Sequence, residues 1–201
     1  MLRVLRERIH EKQCMCHPRV GTGFMRVSPK TSKAVAKTVN TEPGDVLFRI
    51  KRGLSGYISY LAACEMNEAF NEYMLYEPIL RILSACGYQV TIEFPCPGLK
   101  KVGPGDQKKI DFHVHGPGSQ FAMEVKWARS HKLNVKEDYN KLKSYHCYYK
   151  DAQSFLCVFG RKSDIENIEL KNGSFAERGK AVYAEFGKTR YGCRMYELKQ
   201  A

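Results

Sequence analysis

KKIDFHVHGPGSQFAMEVKWARS, residues 108–130, is the stretch that decides how this chain folds. Two short apolar runs meet at Gly116-Pro117-Gly118, which predicts a chain reversal and hence a strand pair. Charge stands inside both runs. Asp111 lies between Ile110 and Phe112, while Glu124 and Lys126 flank Val125, just after Phe121, Ala122 and Met123. Side chains alternate across a strand, so Glu124 and Lys126 share one face and Val125 takes the other. Edge strands use Lys and Glu to block aggregation. That explanation leaves the apolar crowd around Glu124 unaccounted for, and the crowd points to burial.

If Asp111 faces the same side of the neighbouring strand, two carboxylates and one ammonium converge. Like charges about 4 Å apart repel by about 4 kcal/mol at an effective dielectric near 20. Such carboxylates need protonation or a cation. Mg²⁺ suits the position, because it accepts a few carboxylates and keeps water or phosphate oxygens in its other positions. A lysine beside it can orient water or stabilise charge building on phosphorus.

Outward from the hairpin, SGYISYLAACEMNEAFNEYMLYEPILRILSACG reads as helix, with Ser55 as its N-cap, Gly87 as its stop, and a kink or division at Pro78. YQVTIEFP reads as a strand, VKEDYNKLKSYHCYYK as a helix with Val135, Tyr139, Leu142 and His146 along one side, and QSFLCVFG as a buried central strand. KAVYAEFGKTRYGCRMYEL closes the chain as a hairpin. The order helix, strand, strand, strand, helix, strand predicts an α/β fold, a mixed sheet with helices on its faces.

Of the net charge of +12, residues 1–52 hold 12 Lys/Arg against 4 Asp/Glu, or +8. Residues 1–54 therefore read as a basic arm with at most short structure, suited to a polyanion such as nucleic acid, or to a solubilising role. Residues 55–201 read as the folded domain. No stretch approaches the roughly 20 apolar residues of a membrane span, and no secretory signal is evident. With eight scattered cysteines, this suggests a reducing, intracellular setting, cytoplasmic or nucleoid-associated. Cys14, Cys16 and His17 lack the second ligand pair of a zinc finger.

Asp111, a spacer of about a dozen residues around a turn, and Glu124-Val125-Lys126 resemble the D…(D/E)xK core of the PD-(D/E)xK nuclease superfamily. That group includes restriction endonucleases and Holliday-junction resolvases. The helix over Asp138–Tyr145 resembles the one that follows the ExK strand in many members. Ile110 stands where the superfamily's name has proline. The likeness covers roughly residues 60–160 and implies a restriction-endonuclease-like three-layer fold with an α-β-β-β-α-β core. It also implies a Mg²⁺-dependent endonuclease acting on DNA, with RNA left open and Mn²⁺ able to substitute.

In that superfamily a glutamate of the preceding helix often completes the metal site. Of Glu65, Glu68, Glu72 and Glu77, Glu72 continues the apolar stripe of Leu75, Ile79, Ile82, Leu83 and Cys86, with Glu68 in reserve. The resemblance thus implies metal ligation by Asp111, Glu124 and Glu72, with Lys126 assisting the attacking water or the transition state. Glu93 could reach the same pocket. Lys132, Lys136, Lys141 and Lys143 are candidate phosphate contacts or an ordinary solvated helix face. Asp138 and Tyr139 are candidate braces. His113 and His115 share Asp111's face but read as surface residues, and Trp127 reads as core. A catalytically inactive nucleic-acid-binding or protein-interaction module is the alternative, and a homodimer stays open.

Overall fold

Gln153–Arg161 is buried at seven consecutive positions, as its unbroken apolar sequence requires of a strand covered on both faces. The computed structural model describes residues 43–66, 70–99, 107–116, 118–168, 170, 174–184 and 189–199, within a unit spanning Thr38–Ala201. The readings made for residues 1–42, including Cys14, Cys16 and His17, and for Glu68 lie outside them. The elements are α1 (Pro43–Ala63), a 3₁₀ turn (Tyr73–Leu75), α2 (Tyr76–Ala85), β1 (Gln89–Pro95), β2 (Lys109–Gly116) and β3 (Ser119–Ala128). There follow α3 (Lys136–Tyr148), β4 (Gln153–Arg161), α4 (Lys162–Ile165), β5 (Phe175–Glu177), β6 (Val182–Tyr183) and β7 (Tyr191–Leu198).

The fold is α/β, built on an open, mixed sheet of seven strands ordered β1-β2-β3-β4-β7-β5, with β6 also on β7. Among the described residues only β3 and β4 run parallel, joined by the α3 crossover; the other pairs are antiparallel. The hairpin forms as its sequence suggests, Gly116 pairing with Ser119. One face of the sheet packs Phe112, Phe121, Met123, Phe155 and Phe159 against Val46, Ile50, Leu54 and Ile58 of α1 and Ile79 and Leu83 of α2. The other packs Ala122, Leu156 and Val158 against Leu142 and Tyr145 of α3. Each fully buried aromatic contributes about 2 kcal/mol through apolar area removed from water.

Three expectations about the helices change. α1 starts at Pro43, so Ser55 lies inside it rather than capping it. Residues 43–54, assigned to the arm, instead supply core side chains at 46, 47, 50 and 54, spaced to share one helix face. The chain then breaks between α1 and the 3₁₀ turn, and Pro78 sits harmlessly in the first turn of α2. Where α1 crosses α2, a Cβ on Gly53 would stand 2.6 Å from Ile82 Cδ1, so glycine permits the approach.

Lys51 hid this helix from pattern reading, because its side chain is 97 % inaccessible, at 3 % exposure. Its Nζ donates to the carbonyls of Arg178, at 2.8 Å, and Lys180, at 2.9 Å, tying α1 to the segment between β5 and β6. Burial holds its pKa below the usual lysine value. Lys51→Met, which keeps the stem and removes the donors, is expected to cost about 2 to 3 kcal/mol in urea unfolding, through two abandoned carbonyls. An unchanged midpoint would mean that water replaces the ammonium freely.

Candidate active site

The β2–β3 ladder runs from Gly116–Ser119 to Phe112–Met123. Just beyond it, a side chain continues the pattern: Asp111 Oδ2 accepts the Val125 N–H at 2.7 Å. That bond holds Asp111 beside Glu124. Two residues along the same face of β2, His113 Nδ1 lies 3.0 Å from Tyr145 Oη of α3, so this face looks toward α3. His113 also stacks on Phe94, ring centroids 4.2 Å apart, which is a packing role; His115 is exposed.

Glu124 is 1 % exposed. Its Oε2 accepts from Lys141 Nζ at 2.5 Å, and its Oε1 has no hydrogen-bond partner among the described residues. Burial pushes its carboxyl up to about 9; the Asp111 charge adds to this and Lys141 opposes it. Burial also raises Asp111, against the pull of the Val125 N–H. The Tyr76 hydroxyl is held far above its ordinary range by burial and by the charge of Asp111. Its oxygen lies 3.4 Å from Glu93 Oε1, so Glu93 faces Tyr76, and through it the Asp111 side of the site. Glu93 carries a φ of 54°, a left-handed backbone that costs a non-glycine residue energy.

Lys126 Nζ stands 3.3 Å from Asp138 Oδ2. Burial opposes its charge, but Asp138, Glu72 and Glu124 together hold its pKa above the usual value. Asp138 is buried because the inward stripe of α3 is Asp138, Leu142 and Tyr145, not the Tyr139 and His146 side that apolar content suggests. Lys141 shares that inward side. Its spacing matches that of the surface lysines, yet its ammonium turns in to Glu124, to the Lys109 carbonyl at 3.0 Å and to Asp138 at 3.8 Å. Lys132, Lys136 and Lys143 stay exposed, the first two on the rim of a cavity of about 840 Å³ at the start of α3.

Glu72 does not complete a carboxylate triad. The break after α1 places it ahead of the 3₁₀ turn rather than on a continuous helix, and its Oε1 accepts the Trp127 N–H at 2.9 Å. Among the described residues no group of three or more His, Cys, Asp or Glu side chains is arranged to hold a metal ion. Asp111 and Glu124 remain as a pair, with Lys126, Lys141 and Asp138 around them. Trp127 itself is half-buried against Phe70, Phe159 and Tyr191.

The chemistry available here is that of the desolvated Asp111 and Glu124 carboxylates, with two partly exposed ammonium groups beside them, Lys141 on Glu124 and Lys126 on Asp138. Neither a protein-family model, nor a curated protein, nor a solved structure matches the chain. No helix of the described residues is long and apolar enough to cross a membrane.

Proposed function

We propose that this chain is a metal-dependent endonuclease with a restriction-endonuclease-like fold, hydrolysing phosphodiester bonds of DNA. The observation that carries the reading is the Asp111–Val125 hydrogen bond. It sets one carboxylate beside Glu124, whose buried Oε1 has no partner among the described residues, two residues from Lys126 on the same face. An orphaned hard oxygen in a desolvated pair fits a divalent cation, and Mg²⁺ asks for no more than one or two carboxylates. Asp111 and Glu124 would hold it, and Mg²⁺ or Mn²⁺ would supply Lewis-acid stabilisation of the phosphoryl oxygens.

The chain's own residues do the rest. Water oxygen bonds to phosphorus and gives up one proton to solvent as one ester P–O bond breaks, and the leaving oxygen takes up a proton from solvent, so the step balances. Lys126 stabilises the charge building on the phosphate. Asp138 keeps that ammonium charged and aimed, and Lys141 neutralises the second oxygen of Glu124. The Lys141–Glu124 contact also favours a second reading, a nucleic-acid-binding module without catalysis, because Lys141 already occupies Glu124 Oε2.

The test is cleavage of supercoiled, linear, single-stranded and branched DNA, and of RNA, with Mg²⁺ or Mn²⁺. Cleavage is expected, and is lost in Asp111→Ala and Glu124→Ala. No cleavage of any substrate, with metal binding unchanged in those variants, overturns the proposal. Lys126→Ala is expected to slow cleavage by roughly a hundredfold or more while DNA affinity changes little. Equal losses in both would reduce Lys126 to a phosphate contact.

A further inference from the structure

The parallel pair β3 and β4 ends with Ala128 opposite Gly160. The next residue on each strand is an arginine, Arg129 and Arg161. The strands come close here: a Cβ on Gly160 would stand 2.6 Å from the Ala128 carbonyl oxygen. The sheet therefore brings two arginines to adjacent strand ends, and both line one cavity of about 340 Å³. Phe70, Trp127, Tyr191 and Asp164 complete its wall. Among the described residues neither arginine makes an ion pair or side-chain hydrogen bond, and Asp164 reaches neither. Adjacent like charges repel, a cost that a bound anion removes.

We infer that Arg129 and Arg161 form a clamp for a phosphate group of the bound nucleic-acid strand, at the end of the strand that carries Glu124 and Lys126. Three features carry this. Guanidinium forks match phosphate oxygens in pairs, which a lysine cannot do. The clamp lies beyond the carboxyl ends of adjacent parallel strands, where open α/β sheets take their ligands. The clamp stands at the end of β3, the strand that carries Glu124 and Lys126, although its walls, Phe70, Trp127 and Tyr191, belong to the α1 face of the sheet and the carboxylates to the α3 face. Two guanidinium groups and the Asp164 carboxylate leave one positive charge, which matches a single phosphodiester. The nuclease reading supplies only the identity of the strand.

Fluorescence anisotropy of short single-stranded oligonucleotides, with a 5′-phosphate or a 5′-hydroxyl, tests the clamp on the full chain in EDTA, where cleavage plays no part. Arg129→Ala/Arg161→Ala is expected to weaken binding by about tenfold and to lower the salt slope by about one to two, while Lys150→Ala, an exposed charge elsewhere, changes affinity less than about twofold. Arg129→Lys/Arg161→Lys recovers only part of the loss, because charge returns without the fork. A loss confined to the 5′-phosphorylated strand assigns the clamp to a terminal phosphate, and an equal loss on both strands assigns it to the backbone. An unchanged affinity, or a loss matched by Lys150→Ala, with melting temperatures preserved, overturns the clamp. A chain that binds through the arginines yet never cleaves leaves the clamp standing and removes the nuclease reading alone.

Discussion

Glu124→Gln is expected to abolish cleavage and, at the same time, to make the metal-free protein more stable at mildly alkaline pH. The buried carboxyl titrates near 9, far above the ordinary glutamate value of 4.5. The folded chain therefore holds a proton that the unfolded chain releases. Where the folded state binds more protons, stability falls as pH rises. The window runs from the unfolded value to the folded one, from about 4.5 to about 9. Across it, wild-type stability should fall by roughly 3 to 6 kcal/mol, at about 1.4 kcal/mol per unit of pKa difference.

Glutamine keeps the shape and offers Lys141 a carbonyl oxygen, but does not titrate. In chemical unfolding with EDTA, wild type and variant should coincide near about pH 5, and the variant should be the more stable near about pH 8. A variant less stable at alkaline pH would mean that the Lys141–Glu124 pair is worth more than its desolvation costs. Residues that destabilise a fold for a task are a recurring feature of active sites.

Adding Mg²⁺ near that alkaline pH should raise the melting temperature of the wild type and leave Asp111→Asn unmoved. A ligand that binds only the folded state, at a hundredfold over its dissociation constant, stabilises it by about 2.7 kcal/mol. The response should weaken toward acid, because the metal must displace the proton that Glu124 holds. Equal responses in wild type and Asp111→Asn would place the ion elsewhere. No response in either, with DNA binding intact, would support the module without catalysis.

The hairpin at 109–128 and its charged face were legible in the sequence because a strand repeats every two residues. Asp111, Glu124 and Lys126 needed only that alternation and one turn to be set together. β4 was legible for a similar reason, since an unbroken apolar run has no solvent face to offer. The last hairpin is present as β6 against β7, although β7 also lies between β4 and β5.

The start of α1 was not legible. Arg49, Lys51 and Arg52 break up its apolar pattern, and only the carbonyls of Arg178 and Lys180, more than a hundred residues away, make a buried lysine there affordable. Glu72 was misplaced because its helical position depended on a continuous helix, and the chain instead breaks before it. Lys141 looked like a surface lysine until Asp138, Leu142 and Tyr145 defined the inward side of α3.

What the sequence determined by itself was local: strand and helix periods, the turn, and the shared face of three charged residues. The tertiary structure decided which distant charges meet. Lys141 reaches Glu124, Asp138 reaches Lys126, and Arg129 stands beside Arg161 because β3, α3 and β4 pack as one crossover unit. Periodicity acts over a few residues and can be read from one segment alone. A charge pair depends on the register and packing of elements far apart in the chain, which only the folded core sets.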